Sequence, residues 1–532
     1  MFNGVRCLFS PSFKNHTPRR QPVFEAGFTR MILQQILKRL VTGVAAVVIM
    51  VMGEPAFAQS QGAPPPPLAP IPTPAQLAWQ DGDQAMLVSF GINTFSGQEE
   101  GTGKEDPKIF NPSQLDVRQW VRVAKECGFK RLILPVKGHE GFCLWSSKTT
   151  DYGVQSSPWK DGHGDILREF TDACRTAGLE AGFYLSAEDR HCPLYGTPGY
   201  NGFYLNQLRE VLAGYGKFTE VRFDGAGGEG TGAFGFVNKN LKDRRQVYDW
   251  PQIFSTVSRW QPQAIMVSSV GPGARWNGNN IGHAGEANWC PFNPAVMPGP
   301  ELTDRQQLGL LNAGDSNGPV WLPAECCVRF GTNDWFWHAG NEGQLQSLDR
   351  LVSSYFKSAG HNCDFLLSVP VNNQGLIPEA AVRRLREFHA VLEKSFQTDL
   401  AAGKPARASN VRGNEPAFGA DQAVAGRRDT YWATDDAVTG DCWLEVDLGQ
   451  PITFNTSAVR EQIALGQRVV TYRIDYLDGD QWKTAVHGRG IGRLKLERFA
   501  APVTARKVRL MIEAARACPA ISQFSLYLRT GQ

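Results

Sequence analysis

The chain has 532 residues, of which 42% are hydrophobic, 11% aromatic and 20% charged, a globular composition long enough for two or more domains and unlike disordered, collagenous or coiled-coil chains. Its 55 Lys and Arg against 52 Asp and Glu leave a formal charge of +3, too small for the basic field that nucleic-acid binding by counterion release requires. Fourteen Trp with 55 Gly suit tight turns at strand ends and aromatic platforms of the kind that line sugar sites.

From Met31, a candidate alternative start, the N-terminus reads as an export signal: Lys38 and Arg39, an apolar run from Leu40 to Met52, then the small-x-small pattern Ala56-Phe57-Ala58. Cleavage is expected after Ala58, so residues 1–58 are a leader. The apolar run is shorter than the roughly 20 residues of a spanning helix, so no membrane span is expected afterwards. The expected location is periplasmic or secreted. The leader carries seven of the basic and two of the acidic residues, so its removal turns the charge from +3 to −2. Residues 59–83 read as a linker, because the Pro-rich run at 63–74 forms a polyproline spacer that neither pairs into a sheet nor fills a helix. Ten Cys would enter an oxidising compartment, and Cys442 with Cys518 is a candidate pair.

Residues 84–397 alternate strand-like and helix-like patterns. Strands are expected at Met86–Phe95, Arg131–Val136, Glu180–Ser186, Phe218–Phe223, Ala264–Val270, Pro319–Leu322 and Asp364–Val369. Val117, Trp120, Val121 and Ala124 fall on one helical face before a Gly128 cap. Further helices are expected around Ile166–Ala177, Tyr204–Tyr215, Val247–Trp260 and Leu345–Ser358. The pattern predicts a parallel sheet covered by helices, closing towards a (β/α)8-like TIM barrel. In such a barrel the chemistry sits at the C-terminal ends of the strands. The residues just past them include Glu99, Lys137 to Glu140, Glu188 to His191, Asp224, Arg275, Trp276, Glu286 and Glu325. This set is rich in carboxylates and aromatics and has no Ser-His-Asp order or metal-spaced cluster, so neither metal nor cofactor is expected. Paired carboxylates are what glycoside hydrolysis requires. Residues 408–532 instead alternate with period two, as in Leu444, Val446, Leu448 and Tyr472, Ile474, Tyr476. An antiparallel β-sandwich (jelly roll) is expected there.

Ser89-Phe90-Gly91-Ile92-Asn93-Thr94-Phe95, Gly103-Lys104-Glu105-Asp106-Pro107, Gly141-Phe142-Cys143-Leu144-Trp145, Phe223-Asp224-Gly225-Ala226 and Pro370-Val371-Asn372-Asn373-Gln374-Gly375 together resemble glycoside hydrolase family 29, the retaining α-L-fucosidases, and most of all its α-1,3/1,4 subgroup. Thr430-Tyr431-Trp432-Ala433-Thr434 and Leu444-Glu445-Val446-Asp447-Leu448-Gly449 resemble the discoidin-type (F5/8 type C) domain that often follows it. The resemblance implies Asp224 as nucleophile, His139 as a contact to fucose hydroxyls and Glu99 as a carboxylate near the same sugar. Glu140, Trp145, Arg222, Arg275, Trp276 and Trp337 complete the candidate substrate-binding set. In the sandwich, Tyr431, Trp432 and Trp443 could stack on a sugar or belong to the core.

Several positions depart from the family pattern. Ser89 and Gly138 stand where it has His, Glu140 replaces Asp, and Glu100, Glu188 and Arg222 stand where it has Trp. Asn280 occupies the place of the acid/base Glu, and an amide cannot donate that proton. Glu286 is then the first candidate acid/base and Glu229 the second. Three explanations stay open: another carboxylate supplies the proton, the pocket takes a sugar other than fucose, or the barrel only binds glycans. The expected activity is retaining exo-hydrolysis releasing terminal α-L-fucose or a related deoxy sugar from an oligosaccharide or glycoconjugate. The alternative is a catalytically impaired glycan-binding protein.

Overall fold

The computed structural model describes residues 62–223, 248–268, 271–296 and 304–529. Strands β1 (Gln84–Ser89), β2 (Arg131–Lys137), β3 (Glu180–Leu185), β4 (Glu220–Arg222), β5 (Ile265–Val267) and β6 (Arg275–Trp276) belong to one parallel sheet, which β9 (Ala324–Arg329) and β10 (Cys363–Pro370) complete. The order is β5-β4-β3-β2-β1-β10-β9-β6, and a parallel bridge between Val267 and Ala274 joins its two ends into a ring. Helices wrap this ring for the reason the periodicity gave. Asp116, Asp165, Asp249 and Ser347 each cap the first turn of one by accepting a backbone N–H, and Gly178 ends the helix Ile166–Ala177 in the left-handed conformation.

Two strand expectations change: the strand expected over Met86–Phe95 stops at Ser89, with Asn93–Ser96 forming a helical turn, and the sixth expected strand is displaced. Pro319–Leu322 is not part of the barrel: β8 (Val320–Trp321) pairs antiparallel with β7 (Pro291–Phe292) in a separate ribbon. The barrel strand is instead Ala324–Arg329, so Glu325 lies within a strand and not beyond one. No helix separates β5 from β6; the chain loops back through the segment ending at Gly273, whose N–H donates to Met266 O at 3.0 Å.

Alternation along the strands sends Met86, Val88, Leu132, Leu134 and Val136 outward beneath the helices and Ala85, Ile133, Tyr184, Cys327 and Leu366 into the ring. At the N-terminal end of the ring the interior is charged. Arg131 Nε lies 2.9 Å from Glu220 Oε2 and its Nη2 2.8 Å from Asp364 Oδ2, all three side chains being about fully buried. The helix Pro74–Gln80 covers this floor, with Trp79 Nε1 donating to Glu220 Oε2 at 2.8 Å and its ring under the Arg131 guanidinium.

The C-terminal sheet comprises β11 (Ala406–Ala408), β12 (Trp432–Ala433), β13 (Cys442–Glu461), β14 (Val469–Asp478), β15 (Gln481–Arg489), β16 (Lys495–Ala515) and β17 (Ala520–Tyr527), all antiparallel. Register shifts within the β13–β16 pairing bend these two long strands, so that both layers of the sandwich close over one apolar core. Trp432 is part of that core, fully buried with Nε1 donating to Asn410 O. Tyr431 and Trp443 are half-buried. Cys442 and Cys518 are both buried thiols and do not form the bridge considered from sequence; the Cys518 sulfur takes Arg468 Nη1 at 3.2 Å instead.

The Pro-rich segment is not a free spacer. Its carbonyls at Ala63 and Pro66 accept from Arg412 and Arg468 of the sandwich, and Leu68 N–H donates to Leu465 O. A chain without internal hydrogen bonds leaves its carbonyls available to neighbouring arginines, and a polyproline run supplies several in a row. Barrel and sandwich meet at the N-terminal end of β10, where Asn362 accepts Arg493 N–H at 2.7 Å and Leu496 N–H donates to Gly360 O. Among the described residues no helix is long and apolar enough to cross a membrane.

Candidate active site

The C-terminal rim of the barrel gathers polar groups from β1 to β4. His139, two residues past β2, holds Ser186 Oγ at 2.8 Å through Nδ1, and its ring keeps about a fifth of its surface open. Glu188 follows β3 with a buried side chain; its Oε2 lies 3.8 Å from His139 Nδ1 and its Oε1 accepts from Arg190 Nε at 2.7 Å. Arg190 is shared further, with Gly101 O and the Glu100 carboxylate at 2.8 Å. Two positions where the family pattern has Trp, 100 and 188, are thus joined as carboxylates through one guanidinium. Phe223 N–H donates to Val267 O at 3.0 Å, so β4 keeps its pairing to the residue directly before Asp224.

Glu99 is fully engaged. Its Oε2 accepts from the N–H of Trp335 at 2.6 Å, and its Oε1 accepts from the N–H of Phe336 at 3.3 Å and lies 2.6 Å from His338 Nε2. Glu99, Asp334 and His338 bring one ligand atom each within 4.8 Å of one another, the only such grouping among the described residues. The Glu99 oxygens are occupied by these donors and Asp334 accepts Asn341 Nδ2 at 3.1 Å, so the three order a loop. His338, which the sequence reading passed over, closes the run Trp335-Phe336-Trp337-His338; that aromatic run was the signal for it. Trp337 is buried and donates to Glu342.

Glu140 is buried below the rim, and a Cβ at position 138 would run into its carboxylate, so the glycine and the longer acid occur together. Burial pushes this carboxyl up to about 7, helped by the nearby Asp189 and Glu105 charges and opposed by backbone N–H groups. A carboxyl raised above its ordinary value is neutral and harmless in the fold below about pH 4.5, and its cost grows as pH rises through 7. Glu140→Gln is therefore expected to match wild type in thermal melting at pH 4.5 and to be more stable by about 2 kcal/mol at pH 8.

Arg222 points into the ring from β4 and pairs with Glu325 of β9. Other sequence candidates lie elsewhere. Trp145 is in the barrel's outer core with Nε1 on Glu210 of the helix Gly199–Gly214, because its position past β2 turns it towards the helices. Arg275 is fully buried among carbonyls of Leu311, Leu322 and Trp289 and the side chain of Asn288, where burial pulls its guanidinium down to about 10. Trp276 beside it is half-buried and donates to Asn280 Oδ1 at 3.1 Å. Glu286 is exposed at the opposite end of the barrel: Asn288, two residues on, donates to His361 O and Asn362 O before β10, and Lys495 of the sandwich holds Glu286 O at 2.6 Å. A carboxyl at that end cannot reach a sugar at the C-terminal rim. Asp224 and Glu229 lie outside the described residues.

The family model described as Alpha-L-fucosidase matches residues 79–395, and that described as F5/8 type C domain matches residues 405–523. The chain is 39% identical over 471 residues to Alpha-L-fucosidase 1 of Arabidopsis thaliana, covering 87% of this chain and 88% of that protein.

This chain belongs to the α-L-fucosidase family.

Among solved structures of that family, the Ruminococcus gnavus GH29 fucosidase in complex with fucose is 30% identical, with a TM-score of 0.78 over 88% of this chain and 97% of its own. A glycoside hydrolase 29 member from an unknown rumen bacterium is 32% identical, with a TM-score of 0.76 over 88% and 79%. These relatives share the fold over most of the chain's length, and in a barrel of this kind the rim at the C-terminal strand ends is the candidate active site.

Proposed function

We propose that this family member is an exported, retaining exo-α-L-fucosidase acting on terminal fucose of the α-1,3/1,4-linked kind. The observation that carries the reading is the rim itself: His139, Ser186 and Glu188 converge past β2 and β3, and β4, the next strand, runs through Phe223 into Asp224. In the proposed reaction the Asp224 carboxylate attacks the anomeric carbon and the bond to the departing oxygen breaks as that oxygen is protonated. Water then cleaves the glycosyl ester, and two inversions give net retention. Asn280 cannot supply the proton and Glu286 faces the other end of the barrel, so the acid/base role passes to Glu229. The fucose complex of the Ruminococcus gnavus relative supports the sugar, and the leader pattern at residues 31–58 supports export.

The test is an aryl α-L-fucoside followed by proton NMR. Release of aryl alcohol with α-L-fucose as the first anomer is expected. Glycan binding without any release would favour the rival reading prompted by Asn280, a binding protein on the same scaffold.

A further inference from the structure

Among the buried polar atoms left without a hydrogen-bond partner is a carboxylate oxygen of Glu188. Glu188 has a side chain only 1% exposed. Its Oε1 is tied down by Arg190, whose remaining nitrogens grip Gly101 O and Glu100, so the carboxylate cannot rotate freely. Its Oε2 is buried with no hydrogen-bond partner among the described residues. His139 does not supply one: 3.8 Å is beyond hydrogen-bond reach, and the facing Nδ1 is already engaged with Ser186 Oγ. An orphaned carboxylate oxygen in an enclosed site is costly, and such exceptions in native proteins call for an explanation, a bound donor among them. Burial also pushes the Glu188 carboxyl above its usual range.

Resting on the fucosidase reading, we infer that Glu188 is a specificity-determining residue: its free oxygen accepts a hydrogen bond from one hydroxyl of the sugar bound beside His139. The placement fits. The carboxylate is at the C-terminal end of β3, where a barrel holds its substrate, and the His139 ring beside it is partly open. A fixed acceptor that can be satisfied only by a donor discriminates steeply against a sugar with hydrogen or fluorine at that position, because the carboxylate is then left buried and unpaired. Arg190 acts through Glu188 as a positioning residue.

The experiment uses the full chain and a series of aryl α-L-fucosides in which each ring hydroxyl in turn is replaced by hydrogen or fluorine, with kcat and KM measured for wild type, Glu188→Gln and Glu188→Ala. Wild type is expected to lose about tenfold to a hundredfold in kcat/KM at one hydroxyl position, whereas each variant, relative to its own rate on the parent fucoside, should lose less than about threefold at that same position. Inductive slowing by fluorine is common to all three proteins and cancels in the ratio. The near-isosteric Gln variant keeps the test valid should Ala impair folding. Parallel loss profiles in wild type and variants, as expected if the oxygen meets only a structural water, would overturn the inference while leaving the fucosidase reading intact. Wild type inert on the parent fucoside would overturn that reading and this inference with it.

Discussion

Asp224→Ala is expected to lower aryl α-L-fucoside hydrolysis by about 10³-fold or more while leaving the melting temperature unchanged. Without the carboxylate no glycosyl ester forms, and the barrier must be crossed with only the binding and electrostatic contributions of the remaining pocket. The described pairing of β4 with β5 is made by Glu220 to Arg222 and the Phe223 backbone, all ahead of position 224 in the chain. Added azide should restore part of the rate in the variant and yield the fucosyl azide of inverted configuration, a signature that generic damage to the pocket would not produce.

Arg131→Met is expected to destabilise the barrel by about 3–5 kcal/mol, because it leaves Glu220 and Asp364 buried without their shared cation. The cost should depend on pH in a definite direction. Burial, only partly offset by Arg131, raises Asp364 to about 6. A carboxyl with a raised folded-state value contributes its full stability below its ordinary pKa and loses it as pH rises through the folded value. The variant's deficit should therefore be smallest near pH 4 and grow through pH 6, read as the shift in denaturant midpoint relative to wild type. A second substitution, Asp364→Leu, should recover part of the loss in the Arg131→Met background, since an apolar pair replaces an uncompensated charge. Its effect in wild type should be a loss, because Arg131 would then be underpaired.

The first five barrel strands were legible because their apolar runs are bounded by helices with clear caps, as at Asp116, Asp165 and Gly178. The stretch from 271 to 329 was not. There β6, β7 and β8 are two residues long, too short for any periodicity, and a non-barrel ribbon precedes the true strand Ala324–Arg329. Glu286 was misplaced for the same reason: no helix separates β5 from β6, so counting strand ends along the chain loses track of which end is being visited. Trp145 and Arg275 carry the right chemistry at plausible positions, but the direction of a side chain past a strand depends on loop geometry that composition does not encode. Position 188 shows the reverse case. Read alone, its carboxylate is a departure from a family pattern; beside Arg190 and Glu100 it becomes half of a charge-paired arrangement that requires the whole rim to be seen.

The central claim, that Asp224 forms a covalent glycosyl ester, is tested most directly by trapping. An activated 2-deoxy-2-fluoro-α-L-fucoside should slow turnover of the ester and leave the protein heavier by one fluorofucosyl group, with peptide mass spectrometry placing the label on Asp224. A label on a different carboxylate, or first-formed β-L-fucose with no label at all, would contradict the account.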